Sequence, residues 1–339
     1  MPDEPVRAVA LMSTLMPHLS GARRYVYRDL IGLALLASLI SAGFGVLSLA
    51  LIFAAVALPA AVLTYIHDHG VWRGDPVTSI GLGLIVSLAF GVGVGVLQGY
   101  FAEGPLLAPA RTTWPSGTAI LELGVVVPAV AFVALLIVPV IVTSRATMRN
   151  AVDTVVICTL SGAALSLGMS IVIQRGAFTE VRTVDPALAA FIALNLGFLQ
   201  PIIFGTAAAV SVMALRRAGS NTLVGLGKGL VLVLLYELAT TLLNPHGVEG
   251  IVFIAVIGWV LAAVGLLLAR GEMHTALLAE AQGAVRGEKS LPHAPEVDSH
   301  CAHCGAGISA GAAFCQACGT ATAALGRRTP VNASGKPSA

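Results

Sequence analysis

An all-α polytopic membrane bundle of about eight transmembrane helices, followed by a small C-terminal zinc ribbon, is the fold class this sequence predicts. Three observations carry it. The stretch from Leu30 to Ile66 runs 37 residues without one Asp, Glu, Lys, Arg or His. Of 339 residues 57% are hydrophobic and only 11% charged, whereas soluble domains carry about 25% charged residues. Two Cys-x-x-Cys-Gly units, Cys301 to Gly305 and Cys315 to Gly319, stand near the end. The lipid bilayer is therefore the first partner, and a net charge of +2 is too small to argue for nucleic acid.

Residues 1–29 mix Val6, Val9, Leu11, Leu15, Met16 and Leu19 with polar positions, which fits a cytoplasmic or interfacial segment lying on the membrane. The membrane bundle follows over residues 30–270. A helix rises about 1.5 Å per residue and the hydrocarbon layer is about 30 Å thick, so the first long run makes a hairpin of two spans. Its turn is expected near Gly43, Phe44 and Gly45. The run is too long for the apolar core of a cleaved signal peptide, so the first helix is expected to stay.

A short polar loop, His67 to Pro76, is expected next; His67, Asp68 and His69 fit a metal less well than a solvated turn. The third span runs from Val77 to about Gly99, with Gly91, Gly95 and Gly99 on one face. Small residues at this spacing let helix backbones approach, so that face should pack against a neighbour. The fourth span, about Thr118 to Thr143, contains Glu122, Pro128 and Pro139, and the fifth, Ala151 to Ile173, has Asp153 in its first turn and the lone Cys158. From Ala187 to Leu215 there are 29 residues without a formal charge, interrupted by Asn195, Gln200 and Pro201. A kinked or broken sixth helix is the expectation there. The seventh span, Leu223 to Leu243, carries Lys228 near one end and Glu237 deeper in; the eighth is Ile251 to Ala269.

Lys and Arg are retained on the cytoplasmic side. With eight spans, twelve of them (Arg23, Arg24, Arg28, Arg73, Arg145, Arg149, Arg216, Arg217, Lys228, Arg270, Arg286 and Lys289) fall inside, against Arg111, Arg175 and Arg182 outside. The expected location is the cell (inner) membrane with both termini cytoplasmic. Residues 271–299 form a stem and linker, 300–319 the ribbon, and 320–339 a disordered tail.

The ribbon carries the strongest chemical signal. Each knuckle turns backbone amides toward its sulfurs, and four thiolates, Cys301, Cys304, Cys315 and Cys318, close a tetrahedral shell around one structural Zn²⁺. So short a unit cannot bury a sufficient core, so metal binding should supply most of its folding free energy, with Phe314 as the apolar plug. His303 sits inside the first knuckle as a bystander. A closed shell leaves no position for a catalytic water. Duplication of the pair argues against a redox dithiol, and the absence of Lys or Arg between Cys301 and Gly319 argues against a nucleic-acid partner and for a protein one. The unit resembles the short zinc ribbons attached to many prokaryotic membrane and regulatory proteins.

Ionisable groups at membrane depth are functional candidates by default, because burying one costs roughly 2.5–3.5 kcal/mol even on insertion scales. Glu237 leads; Gln200, Asn195, Asp153 and Glu122 complete the candidate intramembrane polar set. Gly225 to Gly229 has the look of a phosphate loop around Lys228, but Walker spacing needs Gly where Thr222 stands and Ser or Thr after the Lys.

Tyr65, Asp68 and Asp75-Pro76 after a helix pair, basic residues before Asp153, and Gln200-Pro201 followed by Gly205 carry a resemblance to the PrsW family of intramembrane proteases over about residues 25–270. The resemblance implies a proteolytic bundle whose chemistry lies on a Glu-Glu motif, a further Glu on the next helix, and later His residues. Here the fourth span has only Glu122, the fifth is uncharged from Thr154 to Ile173, all eight His lie outside the expected spans, and Gln200 and Tyr236-Glu237 stand where those His would be. No catalytic residue is assigned on this reading. The leading expectation is a non-catalytic scaffold or regulatory protein displaying the ribbon, with a PrsW-like intramembrane peptidase and a small-solute transporter as alternatives.

Overall fold

The computed structural model describes residues 26–69, 77–102, 115–144, 151–179, 184–217, 222–285, 299–300 and 307–308. Seven helices among them are long and apolar enough to cross a membrane. The protein is a multi-pass, all-α membrane protein.

The first helix, α1 (Val26–Gly43), folds back against α2 (Leu47–His69) through the turn expected from the glycines. Gly45 takes φ 72°, a left-handed conformation that costs glycine nothing. The turn closes through Gly45 N–H to Ala42 O at 2.8 Å and Val46 N–H to Ser41 O at 3.0 Å. Within the hairpin Ser38 Oγ donates to Ala50 O at 2.8 Å, so its buried hydroxyl is satisfied without water. Helix α2 takes in His67, Asp68 and His69 as its last turn, where the sequence suggested a loop.

Helix α3 (Val77–Phe101) packs along α5 (Ala151–Ile173) over the largest helix pair contact in the bundle. The predicted small-residue face makes this contact. A Cβ on Gly91 would sit 2.1 Å from Leu165 O, one on Gly95 3.1 Å from Met169 O, and one on Gly168 of the facing helix 2.3 Å from Leu88 O. Gly99 lies past the crossing and meets nothing. A second close crossing sets Gly162 of α5 on Gly205, whose backbone N lies 2.5 Å from a Cβ built there.

Helix α4 (Gly117–Thr143) starts at Ser116, whose Oγ accepts from Ala119 N–H at 3.1 Å. The short α6 (Arg175–Thr179) follows α5, and α7 (Pro186–Arg217) begins where Asp185 accepts from the Ala187 and Leu188 amides. Within an apolar stretch of 18 residues in each span, 72% is buried in α7, against 33% in α3 and in the span from Glu249 to Leu277. That makes α7 the axis of the bundle, in contact with α5, α8 (Thr222–Leu243) and α9 (Gly247–Val285). The large apolar side chains left exposed, among them Leu33, Ile85, Val133, Phe253 and Trp259, are on the outside, where lipid replaces water.

Of the kinked or broken helix expected in the sixth span, the break does not occur; the irregularity is a widening. Helix α7 stays continuous through a π-helical stretch, Ala193–Leu199, and α4 holds a second one, Glu122–Val126. Each ends two residues before a proline, Pro201 and Pro128. A proline ring clashes with the carbonyl four residues back and brings no N–H. In the wider turn each N–H bonds the carbonyl five residues back, as in Gln200 N–H to Asn195 O and Val127 N–H to Glu122 O, and the helix continues past the ring without a break.

Helix α9 follows a 3-10 turn, Asn244–His246, and Gly247 at φ 64°. It is 39 residues long and runs past Ala269, where the span was expected to end, so the stem is helical to Val285. Its second half is tied down at Glu272, which pairs with Arg217 of α7 at 2.7 Å and Lys228 of α8 at 3.9 Å. Arg217 also donates to Glu272 O and Thr275 Oγ1. Beyond the bundle, Ser299–His300 and Gly307–Ile308 form an antiparallel ladder pairing Ser299 with Ile308 and His300 with Gly307. The four cysteines of the expected ribbon lie outside the described residues.

Candidate functional site

Among the described residues, a connected polar cluster is built in the apolar interior where α5, α7 and α8 meet, with α3 beside it. Gln200 and Glu237, 2% and 3% exposed, face each other across α7 and α8, and Gln200 Nε2 donates to Glu237 Oε1 at 2.9 Å. The other end of the Gln200 amide, Oε1, lies 3.0 Å from Ser166 Oγ of α5. Ser166 thus continues the chain of hydrogen bonds onto a third helix.

The π stretch explains why a serine stands there. In its wider register the donor for Leu196 O would be the N–H five residues on, at Pro201, which has none. Ser166 Oγ lies 3.2 Å from Leu196 O and shares its proton between that carbonyl and Gln200 Oε1. The neighbouring carbonyl, Asn195 O, accepts from the buried Tyr236 hydroxyl at 3.0 Å as well as from Gln200 N–H. Backbone groups opened by the proline are satisfied by side chains of adjacent helices, as hydrocarbon requires.

Asn195 itself turns away from Glu237. Its Nδ2 donates to Phe191 O at 3.0 Å and reaches Ile251 O of α9 at 3.5 Å, while its buried Oδ1 has no partner among the described residues. It holds α7 to α9, and its backbone carbonyl is the part that joins the cluster.

A cavity of about 20 Å³ lies against the Gln200–Glu237 pair, lined on its polar side by Gln98, Gln200, Tyr236, Glu237 and Thr240. This is room for one water-sized particle. Gln98 of α3 is 5% exposed and its Oε1 has no hydrogen-bond partner among the described residues; Ser170 Oγ of α5 is likewise buried without one among them. Gln98, Ser170 and Thr240 each stand one turn before the end of their helix, so the cluster sits in the layer of the bundle away from Arg216 and Arg217.

The remaining sequence candidates are elsewhere. Asp153 is buried in the first turn of α5, about 20 Å along the helix from Ser166 at about 1.5 Å per residue. It neighbours Thr154, whose Oγ1 accepts from Arg216. Glu122 is half-buried at the start of its π stretch and lines no part of the cavity. Gln98, Ser166, Ser170 and Thr240 were not singled out from the sequence. Ser and Gln within apolar runs give no signal of their own, though their depth and the proline opposite Ser166 point to them in retrospect.

A comparison with protein-family models, curated proteins and solved structures finds no match to this chain. Among the described residues no three His, Cys, Asp or Glu side chains converge on a common point. Chemically the cluster offers a single carboxylate, amide oxygens and hydroxyls around a space for one small particle.

Proposed function

We propose that this chain is an eight-span scaffold or regulatory protein of the cell (inner) membrane, with both termini cytoplasmic, that presents a structural zinc ribbon to a protein partner. The observation that carries this reading is α9. Its 39 residues span about 58 Å, roughly twice the hydrocarbon thickness. The last span therefore leaves the membrane as a continuous helix leading toward the cysteine segment. The ladder of Ser299–His300 with Gly307–Ile308 brackets Cys301 and Cys304 and supports a knuckle closing between its strands. Helix α1, 18 residues in a hairpin with α2, is counted as the eighth span.

The test combines topology with metal content. Reporter fusions after Val285 should read cytoplasmic, and the purified chain should hold one zinc that is lost in a Cys301→Ser, Cys304→Ser variant together with a cross-linked protein adduct in intact cells. A C-terminus on the outer face would overturn the reading, since an oxidising compartment does not keep four free thiolates.

The polar cavity favours a transporter as the second reading over a PrsW-like peptidase. A space of about 20 Å³ admits a small ion or a water but no peptide bond with its flanking residues.

A further inference from the structure

We infer that the cavity between Gln98, Gln200 and Glu237 is a binding site for a small monovalent cation, sodium exchanging with a proton. The inference does not depend on the ribbon and requires no transport.

The argument starts from an imbalance of oxygens. Two buried acceptors, the Glu237 carboxylate and Gln98 Oε1, belong to residues that line one small space, and a Thr240 hydroxyl joins them. Among the described residues, Gln200 Nε2 is committed to Glu237 Oε1, Tyr236 OH to Asn195 O, Thr240 Oγ1 to Tyr236 O, and Ser166 Oγ to Leu196 O and Gln200 Oε1; the uncommitted donors are the Gln98 amide N–H groups and the Ser170 hydroxyl, which lies off the cavity lining. Among the described residues no Lys, Arg or His lines the cavity; Glu237 and Tyr236 are the titratable groups there, and the elements packed against it contribute Gln98, Gln200, Leu196 and Ile173. A carboxylate in hydrocarbon must be neutralised by a proton or paired with a cation. The lining therefore supplies negative charge and oxygen ligands, and lacks a positive partner.

Size and backbone agree with this. Volume for one water-sized particle suits a dehydrated sodium ion. The widened turn Ala193–Leu199 lies next to the site, and irregular helix at membrane depth is a recurrent feature of ion sites because it lines a cavity while keeping its backbone satisfied.

Thermal unfolding of the full-length protein in detergent, with NaCl replaced stepwise by choline chloride at constant ionic strength, tests the assignment. At about pH 8 the midpoint should rise saturably with sodium, by mass action on the folded state, and at about pH 5.5 the half-saturating concentration should rise at least about tenfold as protons compete. Glu237→Gln should abolish the sodium response, and Gln98→Leu should raise its half-saturation about tenfold or more. Identical unfolding in sodium and choline at both pH values would overturn the proposal and leave a site for water alone. Stabilisation by acid with no sodium response would also overturn it, leaving a proton site only. Should Glu237→Gln fail to fold, an unchanged half-saturation in Gln98→Leu decides against it.

Discussion

Gln200 on α7 and Glu237 on α8 form a 2.9 Å hydrogen bond that joins two transmembrane helices inside an apolar core, and Ser166 extends it to α5. Hydrogen bonds between membrane helices are worth about 0.6 kcal/mol on average and reach about 1.7. Enclosure puts this one at the upper end. A double-mutant cycle of Gln200→Leu and Glu237→Leu, measured by unfolding in mixed micelles, should give a coupling of about 1–1.5 kcal/mol, with Gln200→Leu alone costing more because it leaves a buried carboxyl unpaired. A coupling near zero would mean that the two side chains do not act as a pair.

The hydroxyl of Ser166 substitutes for the N–H that Pro201 lacks. Ser166→Ala should cost about 1–2 kcal/mol by leaving Leu196 O without a donor. In a Pro201→Ala background the restored amide can serve that carbonyl, so the same substitution should cost less than half as much. Equal costs in both backgrounds would separate the serine from the proline.

Close backbone approach fixes how α3 lies on α5. Gly91→Ala would drive a Cβ to 2.1 Å from Leu165 O, which is backbone and cannot rotate away. A loss of at least about 2 kcal/mol is expected. Gly99→Ala, with nothing within 4 Å, should change stability by less than about 0.5 kcal/mol. Unfolding midpoints of the two variants check the contrast directly.

At the base of the stem, Glu272 joins Arg217 and Lys228, with side chains 17% to 43% exposed. Partly exposed pairs contribute about 0–1 kcal/mol, so Glu272→Ala should barely move global unfolding. It should instead speed protease cleavage between Arg270 and Val285, because the tie holding that turn to α7 and α8 is gone. Unchanged cleavage would show that the helix there is held by its apolar contacts alone.

Much of the bundle is legible in the sequence because lipid imposes simple rules. Ala151–Ile173 matches its expected span residue for residue, and the hairpin turn falls at Gly45, since span ends follow from where charged and turn residues stop the apolar runs. Which face of each helix looks inward is another matter. Lipid and core are both apolar, so periodicity does not separate them, and only Glu237 and the glycines betray the buried side. Pro201 announced a disturbance without saying whether the helix would break or widen. That outcome depended on Ser166 and Tyr236, far away in sequence, and on carbonyls that no residue letter encodes.

The root of α9 is gripped by α7 and α8, the two helices that share the Gln200–Glu237 pair. From Glu272 to Val285 the helix extends about 20 Å, so a tilt of about 10° at its root would carry its tip about 3.5 Å sideways. If a change at the Gln200–Glu237 contact moved α7 or α8, the helix beyond Glu272 would act as a lever arm with its fulcrum on them. Whatever is fastened beyond Val285 would receive that motion enlarged, as a pointer does on a dial.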